Sequence, residues 1–193
     1  MNIEQSGSTQ VADIVKNFDY QLRVSDAKVV GIFSDAAGEG KSFALTQLLP
    51  HLCDVYKRKT LVVDLTNKPC EILAKAFGVE SKARSETQSL EISTRFKNIN
   101  YVTNDELLIF SKSSLDNYTK INRFIKKCRD DYDLIIVNTS TLKRSKNTIF
   151  PEVSLDAAVL VRSKRSLGKN GVILKEILDR DIDLLGIIYN EGV

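Results

Sequence analysis

Six short runs rich in Val and Ile, several of them apolar on both faces, recur along the chain with longer segments of helical period between them. They are KVVGIFS (28–34), TLVVDL (60–65), NINYVT (98–103), DLIIVNT (133–139), AAVLVRS (157–163) and LLGIIYN (184–190). A strand that is apolar on both faces needs helices above and below it, so the pattern predicts an α/β fold built from βαβ units. The intervening segments supply those helices: Leu45, Leu48, Leu49, Leu52 and Val55 recur at helical spacing, as do Ile121, Phe124, Ile125 and Cys128, and again Ile173, Leu174, Ile177 and Leu178. Pro50 lies inside the first of these and lacks a backbone donor, so a kink or an early end is expected there. Ahead of the first strand, Val11, Ile14, Val15, Phe18 and Leu22 form an amphipathic stripe expected to dock on the chain's own core. The stretches 80–96 and 140–147 are polar and read as a surface excursion and a loop. With 193 residues, one domain is expected over 1–193, with 1–27 as a helical arm and 28–193 as the core.

The first junction of this pattern carries chemistry. SDAAGEGKS (34–42) follows a strand and opens a helix, KSFALTQLL, which is the context that lifts a short Gly-Lys-Ser match above chance. Gly38 and Gly40 allow backbone N–H groups to converge on an anion. Lys41 is placed to neutralise β and γ phosphates, Ser42 to hold Mg²⁺, and the helix N-terminus adds a partial positive charge. Where the full phosphate-loop pattern has its first glycine, this chain has Asp35.

Other chemistries find little support. The 28 basic and 25 acidic residues nearly balance, at a net charge of +3, so no nucleic acid is expected as partner. Three cysteines and a single histidine, His51, support neither a disulfide framework nor a Cys/His zinc site, and Cys53 and Cys128 read as small core residues. No apolar run reaches the ~20 residues of a transmembrane helix, and the first residues lack a signal-peptide pattern. A cytoplasmic protein is expected, with the short basic clusters 57–59, 126–129 and 143–146 read as solvated ends and loops that could also meet an anionic membrane face.

SDAAGEGKS is similar to the PGEGKS loop of the bacterial tyrosine kinases that control capsule and exopolysaccharide export, themselves relatives of the deviant-Walker partition ATPases. The likeness extends further: TLVVDLTNKP resembles the family's second strand, YDLIIVNTS its Walker B strand, and LDAAVLVRS and LLGIIYNEGV its last core strands. Ala36 stands where the partition ATPases carry a signature lysine, which favours the kinase branch. The resemblance implies a P-loop NTPase fold with a mostly parallel central sheet and helices on both faces. It implies ATP or ADP with Mg²⁺ held by Ala37, Gly38, Glu39, Gly40, Lys41, Ser42 and Phe43. Lys41 and Asp64 are the catalytic candidates, Ser42 and Asp64 the metal ligands. Asn190 is placed either against the adenine ring or against local backbone.

The departures weaken the catalytic reading. Thr66 stands where the family has a second carboxylate, Lys68 where it has arginine, and Asn138 where it has the Walker B aspartate. A further family aspartate falls near Asn147. An amide keeps a carboxylate's shape without its charge, so Mg²⁺ binding and phosphoryl transfer suffer more than nucleotide binding. No tyrosine-rich tail and no E-x-x-R-x-x-R pattern is present, and Tyr101 and Tyr189 lie in strands, where packing is expected. The expected function is a nucleotide-binding regulatory component of exopolysaccharide or capsule biosynthesis and export. It would act in trans on a membrane polysaccharide co-polymerase or export protein at the inner membrane face, with homo-oligomers allowed. Two alternatives are an active protein-tyrosine autokinase or ATPase and a partition-type positioning ATPase.

Overall fold

The structure is a computed structural model, and it describes residues 3–66, 70–79, 92–108, 114–139, 153–163 and 171–191. Each of the six apolar runs forms a strand. In chain order they are β1 (Val29–Phe33), β2 (Thr60–Asp64), β4 (Ile99–Thr103), β5 (Leu134–Asn138), β6 (Ala157–Ser163) and β7 (Asp183–Asn190). A seventh, β3 (Ile92–Ser93), was not expected, because two residues carry no readable period. It lies at the end of 80–96, read from the sequence as a part-helical surface excursion, and pairs antiparallel with β4, whereas every other pairing is parallel. Strand order is β3-β4-β2-β5-β1-β6-β7, a mostly parallel α/β sheet with helices on both faces.

Side chains alternate between two helical layers. Val30, Ile32, Val62, Tyr101 and Ile136 pack with α1 (Ile3–Ser25), α2 (Lys41–Val55) and α3 (Glu71–Phe77). On the opposite face, Val29, Leu61, Val63 and Ile135 meet α5 (Ser114–Cys128), and Ala158 and Leu160 meet α6 (Val172–Asp179). The one-turn α4 (Asn104–Leu108) directly follows β4. Cys53 and Cys128 are both buried, as small core residues should be.

The N-terminal stripe lies on the chain's own core. Val15 and Leu22 are buried, with Val11, Ile14 and Phe18 packed beside them. Asp19, also buried, pins the helix by accepting from Arg58 Nε at 2.8 Å and pairing with Arg23 at 2.8 Å. The early end expected at Pro50 does not occur, since α2 continues to Val55. An interior proline costs about 3 kcal/mol, but Leu45, Leu48, Leu49 and Leu52 are all buried at about 1.5–3 kcal/mol each, so tertiary packing wins. Two stripe positions fail: Val55 and Leu178 close their helices and stay 62% and 59% exposed. Tyr189 corrects another expectation, being 48% exposed on the edge strand β7 instead of packed. The loop 140–147 lies outside the described residues, as does 80–91.

Candidate functional site

The carboxyl ends of the parallel strands bring the site together, as α/β sheets generally do. Between β1 and α2 the loop turns through Gly38 and Gly40, at φ of 82° and 90°, the left-handed region that side chains avoid. Gly40 is doubly required. A Cβ there would lie 2.1 Å from Asn190 Nδ2, whose amide donates to Glu39 O at 3.3 Å. Asn190 is thus fastened to the loop backbone from the end of β7. At Gly38 a Cβ would meet nothing within 4 Å, so the loop is open on that side. Ala37 and Phe43 are exposed on either side.

Asp35, the departure at the first glycine, has a structural occupation. Its Oδ2 accepts from Arg162 Nε at 3.0 Å and Nη2 at 2.7 Å, and its Oδ1 accepts from the Ile173 backbone N–H at 3.1 Å, in the first turn of α6. One carboxylate therefore ties the loop to the end of β6 and caps a helix. Asp35→Ala should destabilise the fold by about 1–2 kcal/mol, because it removes a two-pronged acceptor from Arg162 and the cap from the Ile173 helix N–H. Chemical denaturation checks this. A loss below about 0.5 kcal/mol would mean that neither bond matters.

Lys41 is buried and donates from Nζ to the Thr139 carbonyl at the end of β5. Burial pushes its pKa down to about 8, against the opposing pull of Asp64. A cation held out of water without a full counter-charge is a receptor for anions.

Strand register builds the rest. Asp64 on β2 is level with Asn138 on β5, and Val62, two residues earlier on the same face, is level with Tyr101 on β4. Hence Asn138 meets Asp64 directly and Tyr101 reaches it diagonally. Asp64 Oδ1 accepts from Asn138 Nδ2 at 3.0 Å, Thr66 Oγ1 at 2.7 Å and Thr66 N at 3.2 Å. Its Oδ2 accepts from Tyr101 Oη at 2.5 Å and Cys70 N at 2.9 Å. Five donors fill the roughly four lone-pair sites of a carboxylate that is wholly buried. Tyr101, desolvated and facing Asp64, has its phenol pushed far above the usual range and stays a donor. Ser42, the other metal candidate, accepts from Cys70 Sγ at 3.0 Å. Asp64 can meet a divalent cation directly only if one of these bonds breaks, whereas Ser42 Oγ keeps a second lone pair. Among the described residues two buried side-chain acceptors remain unpaired, Glu39 Oε1 and Asn138 Oδ1, whereas Glu39 Oε2 takes the Ala36 N–H at 3.0 Å.

The structure thus brings together Gly38, Glu39, Gly40, Lys41, Ser42 and Asn190, and sets Asp64 behind them in a closed network. Cys70, Tyr101, Thr139, Asp35 and Arg162 are components that motif reading misses. Cys70 follows the Asp64-containing segment that frames the site, but only the fold sets its thiol on Ser42.

No protein-family model matches the chain, and no curated protein matches it. Solved structures share its fold. The kinase domain of VpsO is 20% identical at a TM-score of 0.71, with 98% of each chain covered. The tyrosine kinase domain of BceF is 14% identical at 0.68, covering 95% of this chain and 76% of that one. A cobyrinic acid a,c-diamide synthase from Mycobacterium smegmatis, solved with bound ADP and magnesium, is 18% identical at 0.61, covering 84% and 74%. The chain therefore has the P-loop fold common to these proteins.

Proposed function

We propose that this chain is a single nucleotide-binding domain, with 1–27 as its helical arm, that takes ATP or ADP at the Gly38–Ser42 loop and turns it over slowly or not at all. The observation that carries the reading is the contrast within the site. On one side, left-handed Gly38 and Gly40, an open space at Gly38 and a desolvated Lys41 support phosphate binding. The carboxylate that catalysis needs is consumed by internal donors, one of them the amide of Asn138. Such a protein senses nucleotide more readily than it hydrolyses it. When bound, the β and γ phosphates would lie on the loop amides and Lys41, with Asn190 at the rim holding the loop against β7. A divalent cation, if recruited, would supply charge to the phosphates.

The fold likeness to the VpsO and BceF kinase domains supports a role as a kinase-like regulator in exopolysaccharide or capsule export. Its partner in that role is a membrane co-polymerase or export protein. Among the described residues no helix is long and apolar enough to cross a membrane.

A turnover assay tests it. Protein incubated with labelled ATP and Mg²⁺ should release phosphate far below the ~1–100 s⁻¹ of protein kinases and should accumulate no phosphotyrosine. Kinase-like rates, or tyrosine phosphorylation of the chain itself, would establish the autokinase reading in its place.

A further inference from the structure

We infer that the phosphate loop binds its nucleotide without a divalent cation, as the metal-free nucleoside di- or triphosphate. The inference rests on the nucleotide-binding reading above and specifies the state of the ligand.

Of the two positions that the motif assigns to a metal, Asp64 is saturated by donors within the protein, while Ser42 is a neutral hydroxyl that already takes one hydrogen bond. Ser42 Oγ accepts from the Cys70 thiol, and Asp64 accepts five hydrogen bonds. Mg²⁺ demands near-octahedral oxygen ligands at about 2.0–2.1 Å and gives up its water reluctantly. To meet Asp64 it would have to displace a donor such as Tyr101 Oη, leaving that hydroxyl unpaired in a fully buried position. The energetic exchange is unfavourable on the protein's side. The unpaired acceptor beside this carboxylate, Asn138 Oδ1, is neutral and can accept a hydrogen bond but offers a metal no charge. Among the described residues no three His, Cys, Asp or Glu side chains gather as a metal site.

The amide at 138 also explains why the arrangement is stable with no metal. Two carboxylates facing each other at this distance need a cation or a shared proton between them, whereas one carboxylate facing an amide N–H satisfies itself. Countercharge for the phosphates then comes from Lys41, the loop N–H groups and the N-terminus of α2, none of which needs a metal to be placed.

The test is a calorimetric titration of the full chain with ADP and with ATP, once in EDTA and once in excess Mg²⁺. Dissociation constants agreeing within about twofold between the two buffers are expected. Binding that tightens by about tenfold or more with Mg²⁺ overturns the inference while leaving the nucleotide site standing. Absence of binding in both buffers overturns the underlying reading instead. Tyr101→Phe frees one acceptor site on Asp64 and keeps the ring, so its affinity should become Mg²⁺-dependent. A variant whose affinities still agree in both buffers would overturn the assignment of metal independence to the occupied carboxylate.

Discussion

Asn138→Asp is expected to lower the melting temperature of the nucleotide-free protein by roughly 6–12 °C, the equivalent of about 3 kcal/mol in a domain of this size. The substitution is close to isosteric and changes no packing. It replaces the amide donor 3.0 Å from Asp64 Oδ1 with a second acceptor, and both residues are wholly buried. Like charges so placed cannot both ionise without a cation between them, and the medium offers no water to screen them. The same variant should gain stability from Mg²⁺ and from Mg²⁺ with ATP, through mass action on the folded state, where the parent gains little from the metal alone. If Asp64 is correctly aimed, phosphate release should rise as well. Thermal melts with and without Mg²⁺ check the first two effects. An unchanged melting temperature would mean that positions 64 and 138 do not face each other as described.

Lys41→Ala should have opposite effects on stability and binding. The ammonium is held charged at a cost, since burial lowers its pKa from 10.5 to about 8. Removing it relieves that cost, so the variant should keep the parent's stability within about 1 kcal/mol or exceed it at pH 7. Between about pH 8 and 10.5 the unfolded chain binds the proton that the folded chain has released, so the parent's stability rises with pH across that window. The variant should lack this rise. Nucleotide phosphates favour the charged form, so the parent's affinity should be flat below about pH 8 and fall above it. Denaturation curves at pH 7 and pH 9.5 separate the two proteins.

The sheet was legible because burial on both faces writes itself into every residue of a strand, as in Leu134 to Val137, and because β1, the loop and α2 are contiguous. What depends on register was not. Asp64 and Tyr101 lie 37 residues apart, and only the alignment of β2 with β4 makes the phenol a donor to the carboxylate. Motif reading marks Asn138 as a lost charge; the structure adds that its amide closes the network. Asp35 reads as a defect against a glycine pattern because its partners, Arg162 and Ile173, are 127 and 138 residues away. Val55, Leu178 and Tyr189 stay exposed for a simpler reason. Helical and strand periods assign a face, but the last turn of a helix and the edge of a sheet have no neighbour to cover it.

The proposed nucleotide site is the Gly38–Ser42 loop with Lys41. Parallel calorimetric titrations of the parent and of Lys41→Ala with ATP at pH 7 test it most directly. The parent should bind, and the variant, folded by its melting curve, should bind at least about tenfold more weakly, a loss of about 1.4 kcal/mol. Equal affinities, or no binding by the parent, would contradict it.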